Sequence, residues 1–186
     1  MRVVGGEYGG RVLKAPPGDR ARPTQDRVRG ALFSMLGEAV RGADFVDLFA
    51  GSGAVGIEAL SRGARSCVFV ENFRRHREII AANLAALGID SVRTRICGAD
   101  AYRWAADYAS GALDIVYADA PYALAAERGY REILSALAGR GALRPGALFA
   151  AEMAQTQRPE VVEGWELWRD RSYGGSRIGI WRRLSS

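Results

Sequence analysis

The tetrapeptide Asp119-Ala120-Pro121-Tyr122 follows directly on the apolar run Leu113-Asp114-Ile115-Val116-Tyr117-Ala118. A buried strand that ends in an acid, a proline-restrained turn and an aromatic ring offers three chemical handles at one point. The Asp119 carboxylate can accept hydrogen bonds from an amine. A residue before proline is pushed out of the helical region, so the Ala120 carbonyl is held in a defined direction. The Tyr122 ring is a flat face on which a nucleobase can stack. Together these suit methyl transfer to an exocyclic amine of a base. An ordinary Asp-initiated turn gives the same four residues, so the tetrapeptide alone leaves both readings open.

A second constellation lies upstream. Asp47-Leu48-Phe49-Ala50-Gly51-Ser52-Gly53-Ala54-Val55-Gly56 leaves a predicted strand and enters a predicted helix. Gly51 and Gly53 permit a tight turn and the close approach of a ligand to bare backbone. Gly51-x-Gly53-x-x-Gly56 also satisfies the dinucleotide fingerprint, and Glu71 stands where a ribose-binding acid belongs. An NAD(P)-dependent oxidoreductase is therefore one reading. Three points oppose it: Asp47 would repel a pyrophosphate, no Tyr-x-x-x-Lys pair is present, and the Asp-Ala-Pro-Tyr turn has no task in a dehydrogenase. S-adenosylmethionine, a sulfonium and an ammonium without phosphate, accounts for all three. Glu71 would then accept from the ribose hydroxyls, and Asp100, in Cys97-Gly98-Ala99-Asp100-Ala101, from the adenine amine.

These acids need an edge to share, and the pattern supplies one. From residue 44 the chain alternates predicted strands at Phe45–Phe49, Ser66–Val70, Val92–Ile96, Leu113–Ala118 and Ala147–Met153 with predicted helices at Ala54–Arg62, Arg74–Leu87, around Ala101–Tyr108 and near Tyr130–Ala138. Such alternation implies a mainly parallel sheet covered on both faces. Trp165–Arg171 and Arg177–Arg183, split by Gly174-Gly175, read as an antiparallel hairpin. Asp47, Phe49, Glu71, Asp100 and Asp119 all fall at or just past carboxyl ends of strands, where ligands bind in open sheets. Ahead of this lies a helix with Val28, Ala31, Leu32, Met35 and Leu36 on one face, which Thr24 or Asp26 could cap. Val3-Val4 and Arg11-Val12-Leu13 flank a glycine-rich loop and read as a short hairpin, followed by a linker from Pro16-Pro17-Gly18 to Arg22-Pro23. Trp165, Trp168 and Trp181 read as sheet packing.

Charge is unevenly spread. Residues 1–41 carry eight basic side chains (Arg2, Arg11, Lys14, Arg20, Arg22, Arg27, Arg29, Arg41) against four acids (Glu7, Asp19, Asp26, Glu38), which is +4 of the total +5. An arginine-rich head on a neutral body suggests a phosphate-contacting segment joined to a catalytic domain. Cys67 and Cys97 lack metal spacing and read as small core residues of a reducing compartment. His76 is the single histidine, which excludes a histidine-rich metal site, and it reads as solvated on a helix face. No metal is expected. The start Met1-Arg2-Val3-Val4-Gly5-Gly6 lacks the apolar core of a secretion signal, and no apolar run reaches the ~18 residues of a membrane span. A cytoplasmic protein is expected. At 186 residues it is long enough for one core burying roughly 70% of the unfolded surface.

The whole chain resembles the RsmD-type bacterial small-subunit (16S) ribosomal RNA guanine-N2 methyltransferases. The likeness runs from the Val3–Leu13 hairpin through Arg22-Pro23-Thr24-Gln25-Asp26-Arg27-Val28-Arg29, Asp47–Gly53 and Glu71 to Tyr173-Gly174-Gly175. The family usually has a second proline at position 120, where this chain has Ala120; alanine still supplies the carbonyl. The resemblance implies a Rossmann-like class I S-adenosylmethionine-dependent α/β fold: a seven-stranded, mostly parallel sheet with a C-terminal antiparallel hairpin and a small N-terminal β-hairpin extension. It divides the chain into an RNA-binding arm and linker over 1–23 and a methyltransferase domain over 24–186. It implies catalysis by Asp119, Ala120, Pro121 and Tyr122, and cofactor contacts from Thr24, Asp47, Phe49, Ala50, Gly51, Ser52, Gly53, Glu71, Asn72, Asp100, Ala101 and Asp119. RNA contacts would come from Arg2, Arg11, Lys14, Arg22, Arg27 and Arg29. The partner would be 16S rRNA or a small-subunit assembly intermediate, with the enzyme a monomer. A DNA adenine-N6 methyltransferase could use the same tetrapeptide, but no target-recognition domain is visible.

Overall fold

Phe45, Val46, Asp47 and Leu48 are all buried, the pattern of a strand covered on both faces. The computed structural model describes residues 1–16, 23–109, 113–139 and 141–184, the side chains of residues 23, 24 and 122 excepted. The elements are α1 (Pro23–Leu36), β1 (Asp44–Leu48), α2 (Ala54–Ser61), β2 (Ser66–Val70), α3 (Arg74–Leu87), β3 (Thr94–Cys97), α4 (Ala101–Asp107), β4 (Leu113–Ala118), α5 (Tyr122–Arg128), α6 (Arg131–Gly139), β5 (Leu143–Ala154), β6 (Trp165–Tyr173) and β7 (Ser176–Arg183). They build one seven-stranded sheet of order β3-β2-β1-β4-β5-β7-β6. The first five strands run parallel, while β7 is antiparallel to both β5 and β6.

Strand alternation divides the core in two. Phe45, Phe69, Ile115, Leu148 and Ile180 meet α1, α2 and α3 on one face. Val46, Val70, Val116, Phe149 and Trp181 meet α4 and α6 on the other. Strand order reverses between β1 and β4, so the chains leaving these two strands diverge and leave a crevice at their carboxyl ends.

Local chemistry moved several boundaries. The Asp90 carboxylate accepts from Val92 N and winds Ser91–Arg93 into a 3₁₀ turn, so β3 starts at Thr94. The helix expected near Tyr130–Ala138 is α6, and a further short helix, α5, that the pattern did not suggest precedes it. Helix α1 begins at Pro23, a residue whose fixed φ suits a first helical turn. Neither Thr24 nor Asp26 therefore precedes the helix as a cap. Asp26 instead pairs with Arg29 at 2.7 Å.

The N-terminal hairpin has a single ladder bridge, Arg2 to Val12, and is held to α2 by side chains. Glu58, buried in the middle of α2, accepts from Val4 N at 2.7 Å and Gly5 N at 2.9 Å. Ser61 accepts from Tyr8 N and donates to Gly5 O. Asn83 bonds both Lys14 N and Lys14 O, and its amide also donates to Ser52 O. The hairpin is thereby tied to the turn that follows β1.

Candidate active site

That turn is shaped by backbone conformations few residues tolerate. Phe49 has a φ of 59°, the only positive value among the described non-glycine residues. This is a strained conformation of the kind found at functional sites. Its ring packs edge-on against Tyr102. Gly51 and Gly53 follow at φ 55° and 78°, which a glycine adopts without cost. Gly56 serves packing: a Cβ there would lie 2.3 Å from the Phe69 ring, so only a bare backbone lets α2 sit this close to β2.

Asp47 closes the turn from below. Its carboxyl accepts from Gly56 N at 2.8 Å, satisfying a backbone donor in the first turn of α2. Burial pushes this carboxyl up to about 8, with the Glu71 charge adding and the Gly56 bond opposing. Glu71 reaches the same turn from β2, accepting from Gly51 N and Phe73 N, each at 2.8 Å. His76, expected to be solvated, sits 3.6 Å from the Glu71 carboxylate and against the Phe73 ring. Asp100 caps α4 by accepting from Arg103 N, and Ala101 is buried as that helix's first residue.

Asp119, Ala120 and Pro121 leave β4 on the other side of the crevice. The Ala120 amide donates to the Tyr130 hydroxyl at 3.1 Å, and that hydroxyl donates to the Glu152 carbonyl at 2.8 Å. The turn is thus clamped to β5 by a buried tyrosine. A cleft of about 770 Å³ joins the two turns, lined by Asp47, Phe49, Ala50, Gly51 and Ser52 from one and Asp119, Ala120 and Pro121 from the other. Gln25, Val28, Arg29 and Leu32 of α1 form a wall, and Met1, Tyr117, Glu152, Gly175 and Ser176 complete the lining. Glu71 joins this site through its bond to Gly51.

Glu152, Gln25 and Tyr117 line the cleft without having been marked as site residues by the sequence. An acid within an apolar strand, Ala150-Ala151-Glu152-Met153, was the available signal for Glu152. Its carboxyl is raised by burial, against hydrogen bonds from Ser176 and Tyr117. The Tyr117 hydroxyl, 3.4 Å from Glu152 Oε2, is itself raised well above its ordinary value by burial and then by Asp119, Glu152 and Asp47. The Tyr117 hydroxyl and the carboxyl groups of Asp47, Asp119 and Glu152 all belong to residues lining this one cleft.

Arg29 corrects an expectation. It is 5% exposed, with its guanidinium donating to Arg2 O and Asp26 and paired with Glu58 at 3.6 Å. Its guanidinium is taken up by the arm and by two carboxylates, so it is not the exposed phosphate contact expected of it. Arg2, Arg11, Lys14 and Arg27 are exposed. Asn72 is exposed beside Glu71, its carbonyl accepting from Arg77. Arg22 lies outside the described residues, as do the side chains of Thr24 and Tyr122.

The arrangement fits a cationic ligand and opposes a dinucleotide. A pyrophosphate would need the amino end of α2, where the Asp47 carboxyl already occupies Gly56 N. A sulfonium and an ammonium find Asp47 and Asp119 instead, and the Arg29 charge is already neutralised by Asp26 and Glu58.

A doubly wound sheet with an antiparallel strand inserted before its last edge, and an acidic crevice at the first glycine turn, defines the Rossmann-like class I S-adenosylmethionine-dependent methyltransferase fold. Residues 1–182 match the family described as Conserved hypothetical protein 95, and the chain belongs to this family, that of ribosomal RNA small subunit methyltransferase D. The Escherichia coli (strain K12) protein of that name is 33% identical over 98% of this chain and 90% of its own length. Bacillus subtilis YlbH is 32% identical over 98% of this chain and 99% of its own. The solved structure of Escherichia coli yhhF superposes with a TM-score of 0.85 at 32% identity, covering 100% of this chain and 99% of that one.

Proposed function

We propose that this protein transfers a methyl group from S-adenosylmethionine to the exocyclic N2 of a guanine in 16S ribosomal RNA. The observation that carries the reading is the shared acidic cleft, in which the glycine turn after β1 and the Asp119-Ala120-Pro121 turn after β4 face one another. The cofactor, when bound, supplies an electrophilic methyl on a positively charged sulfur. Gly51, Ser52 and Gly53 would offer backbone to it, with Thr24, Phe49, Ala50, Asn72 and Ala101 around them. Glu71 would take the ribose hydroxyls and Asp100 the adenine amine.

The guanine amine is a weak nucleophile because its lone pair is delocalised into the ring. Asp119 and the Ala120 carbonyl would accept its two hydrogens, favouring a pyramidal nitrogen whose lone pair points at the methyl group. Asp119 is then the acceptor for the proton that the nitrogen loses. Positioning of this kind supplies several kcal/mol of barrier reduction. Tyr122 would stack on the extruded base. Arg2, Arg11, Lys14, Arg22 and Arg27, on the arm, its linker and α1, would follow the RNA phosphates, with the arm over 1–23 serving the methyltransferase domain over 24–186. The enzyme would act as a cytoplasmic monomer on rRNA or an assembling small subunit. Among the described residues no helix is long and apolar enough to cross a membrane.

Calorimetry should give a heat of binding with S-adenosylhomocysteine and none with NAD. Labelled methyl donor incubated with small subunits or their assembly intermediates should mark 16S rRNA. Asp119→Ala should abolish that transfer; equal turnover by the variant and the parent would remove Asp119 from its role.

A further inference from the structure

We propose that Glu152 reads the Watson–Crick edge of the target base, accepting the N1 hydrogen of guanine beside the amine held by Asp119. The inference rests on the methyltransferase reading and goes beyond it by assigning base selection to a residue on a different strand. Ala151 on β5 is registered opposite Ala118 on β4. Ala118 is the last residue of β4, so Asp119 follows it out of the sheet while Glu152 continues β5 beside that exit. Both residues line the same cleft.

Glu152 is otherwise hard to explain. It is half-buried, and among the described residues no arginine, lysine or histidine pairs with it. Its interactions on the protein side are hydroxyls, Tyr117 at 3.4 Å and Ser176. A half-buried carboxylate held only by neutral donors keeps acceptor capacity for a further partner, and the cleft it lines is where that partner would lie. Tyr117 and Ser176 come from strands on either side of β5, so the carboxylate is steadied from both flanks. Guanine carries a hydrogen on N1, whereas adenine presents a lone pair there. The same carboxylate that accepts from guanine would repel adenine, which makes it a device of exclusion as well as attraction.

The test compares small subunits reconstituted with 16S rRNA carrying guanine or 2-aminopurine at the position that the parent enzyme methylates. 2-Aminopurine keeps the amine at C2 but has no hydrogen on N1. The parent should favour guanine by about 10- to 100-fold in kcat/KM, the span that a base-edge contact provides. Glu152→Gln should lose most of its activity on guanine while its activity on 2-aminopurine holds within about threefold, since the amide can donate to the bare N1. S-adenosylhomocysteine affinity should be unchanged, which shows that the site is intact; if Glu152→Gln fails to bind it, Glu152→Asp is measured instead. Equal losses on both substrates, or no loss on either, would overturn the inference and leave the methyltransferase reading standing. A parent enzyme that methylates no guanine would overturn both.

Discussion

Ala120 keeps an amide hydrogen that a proline at this position lacks, and the structure uses it. The Ala120 N–H donates to Tyr130, whose hydroxyl spans to Glu152 O on β5. Pro121 restrains Ala120 through its ring; Tyr130 restrains it through a hydrogen bond. Tyr130→Phe should leave cofactor affinity unchanged and lower kcat by about 2- to 10-fold, the worth of one ordinary hydrogen bond, as single-turnover methylation would report. Asp47 makes a different prediction. Its folded pKa of about 8 exceeds its ordinary 3.8, so the folded chain holds a proton that the unfolded chain has released. Stability from this group is full below pH 4 and is lost as pH rises through 8, with a slope of at most about 1.4 kcal/mol per pH unit. Asp47→Asn should flatten that decline in urea titrations of the ligand-free protein. A slope of the same sign should remain from Glu152, also raised by burial. Affinity for a cationic cofactor should rise over the same window, because the ligand favours the ionised carboxyl.

The hairpin and α2 behave as one element. Glu58 is fully buried, accepts from two hairpin amides and pairs with Arg29 and Arg62. Removing one partner of a buried charge network typically costs about 3–5 kcal/mol. Glu58→Gln should therefore lower the melting temperature and speed hydrogen exchange at Val4, Gly5 and Tyr8 more than at β1. Arg27 and Arg29 look alike in the sequence, two residues apart on one helix. One faces solvent and the other is buried, because Glu58, from a different helix, claims the second. The three tryptophans all pack against the core, as their pattern suggests. Trp165 and Trp181 pack on Phe149 as sheet residues. Trp168 packs against the core of the other face and is also flanked by Arg169 and Arg182, whose guanidinium carbons lie 3.9 and 4.4 Å from its ring centroid.

Across the whole molecule, charge and ligand linkage give the measurable consequences. An exposed set of Arg2, Arg11, Lys14 and Arg27 beside a neutral body should make RNA binding fall steeply with salt. Arg11→Ala should lower the slope of log affinity against log salt by about 0.7–0.9, measured by filter binding. S-adenosylhomocysteine at about 100 times its Kd should stabilise the fold by about 2.7 kcal/mol, a rise of about 5–11 °C for a domain of this size.

The strand–helix alternation, the edge on which Asp47, Glu71, Asp100 and Asp119 gather and the glycine turn were legible from residue order alone, because hydrophobic period and backbone permissiveness are local properties. Glycine and proline breaks located most elements, and failed where a side chain intervened, as Asp90 does before β3. Proximity across strands is another matter. Glu152 reaches the cleft because β5 pairs with β4, Tyr130 grips Ala120 while its hydroxyl is held by Glu152 O on β5, and Arg29 is drawn inward by a carboxylate distant in the chain. Each of those facts depends on contacts between segments far apart in sequence, which only the packed sheet brings within hydrogen-bonding distance.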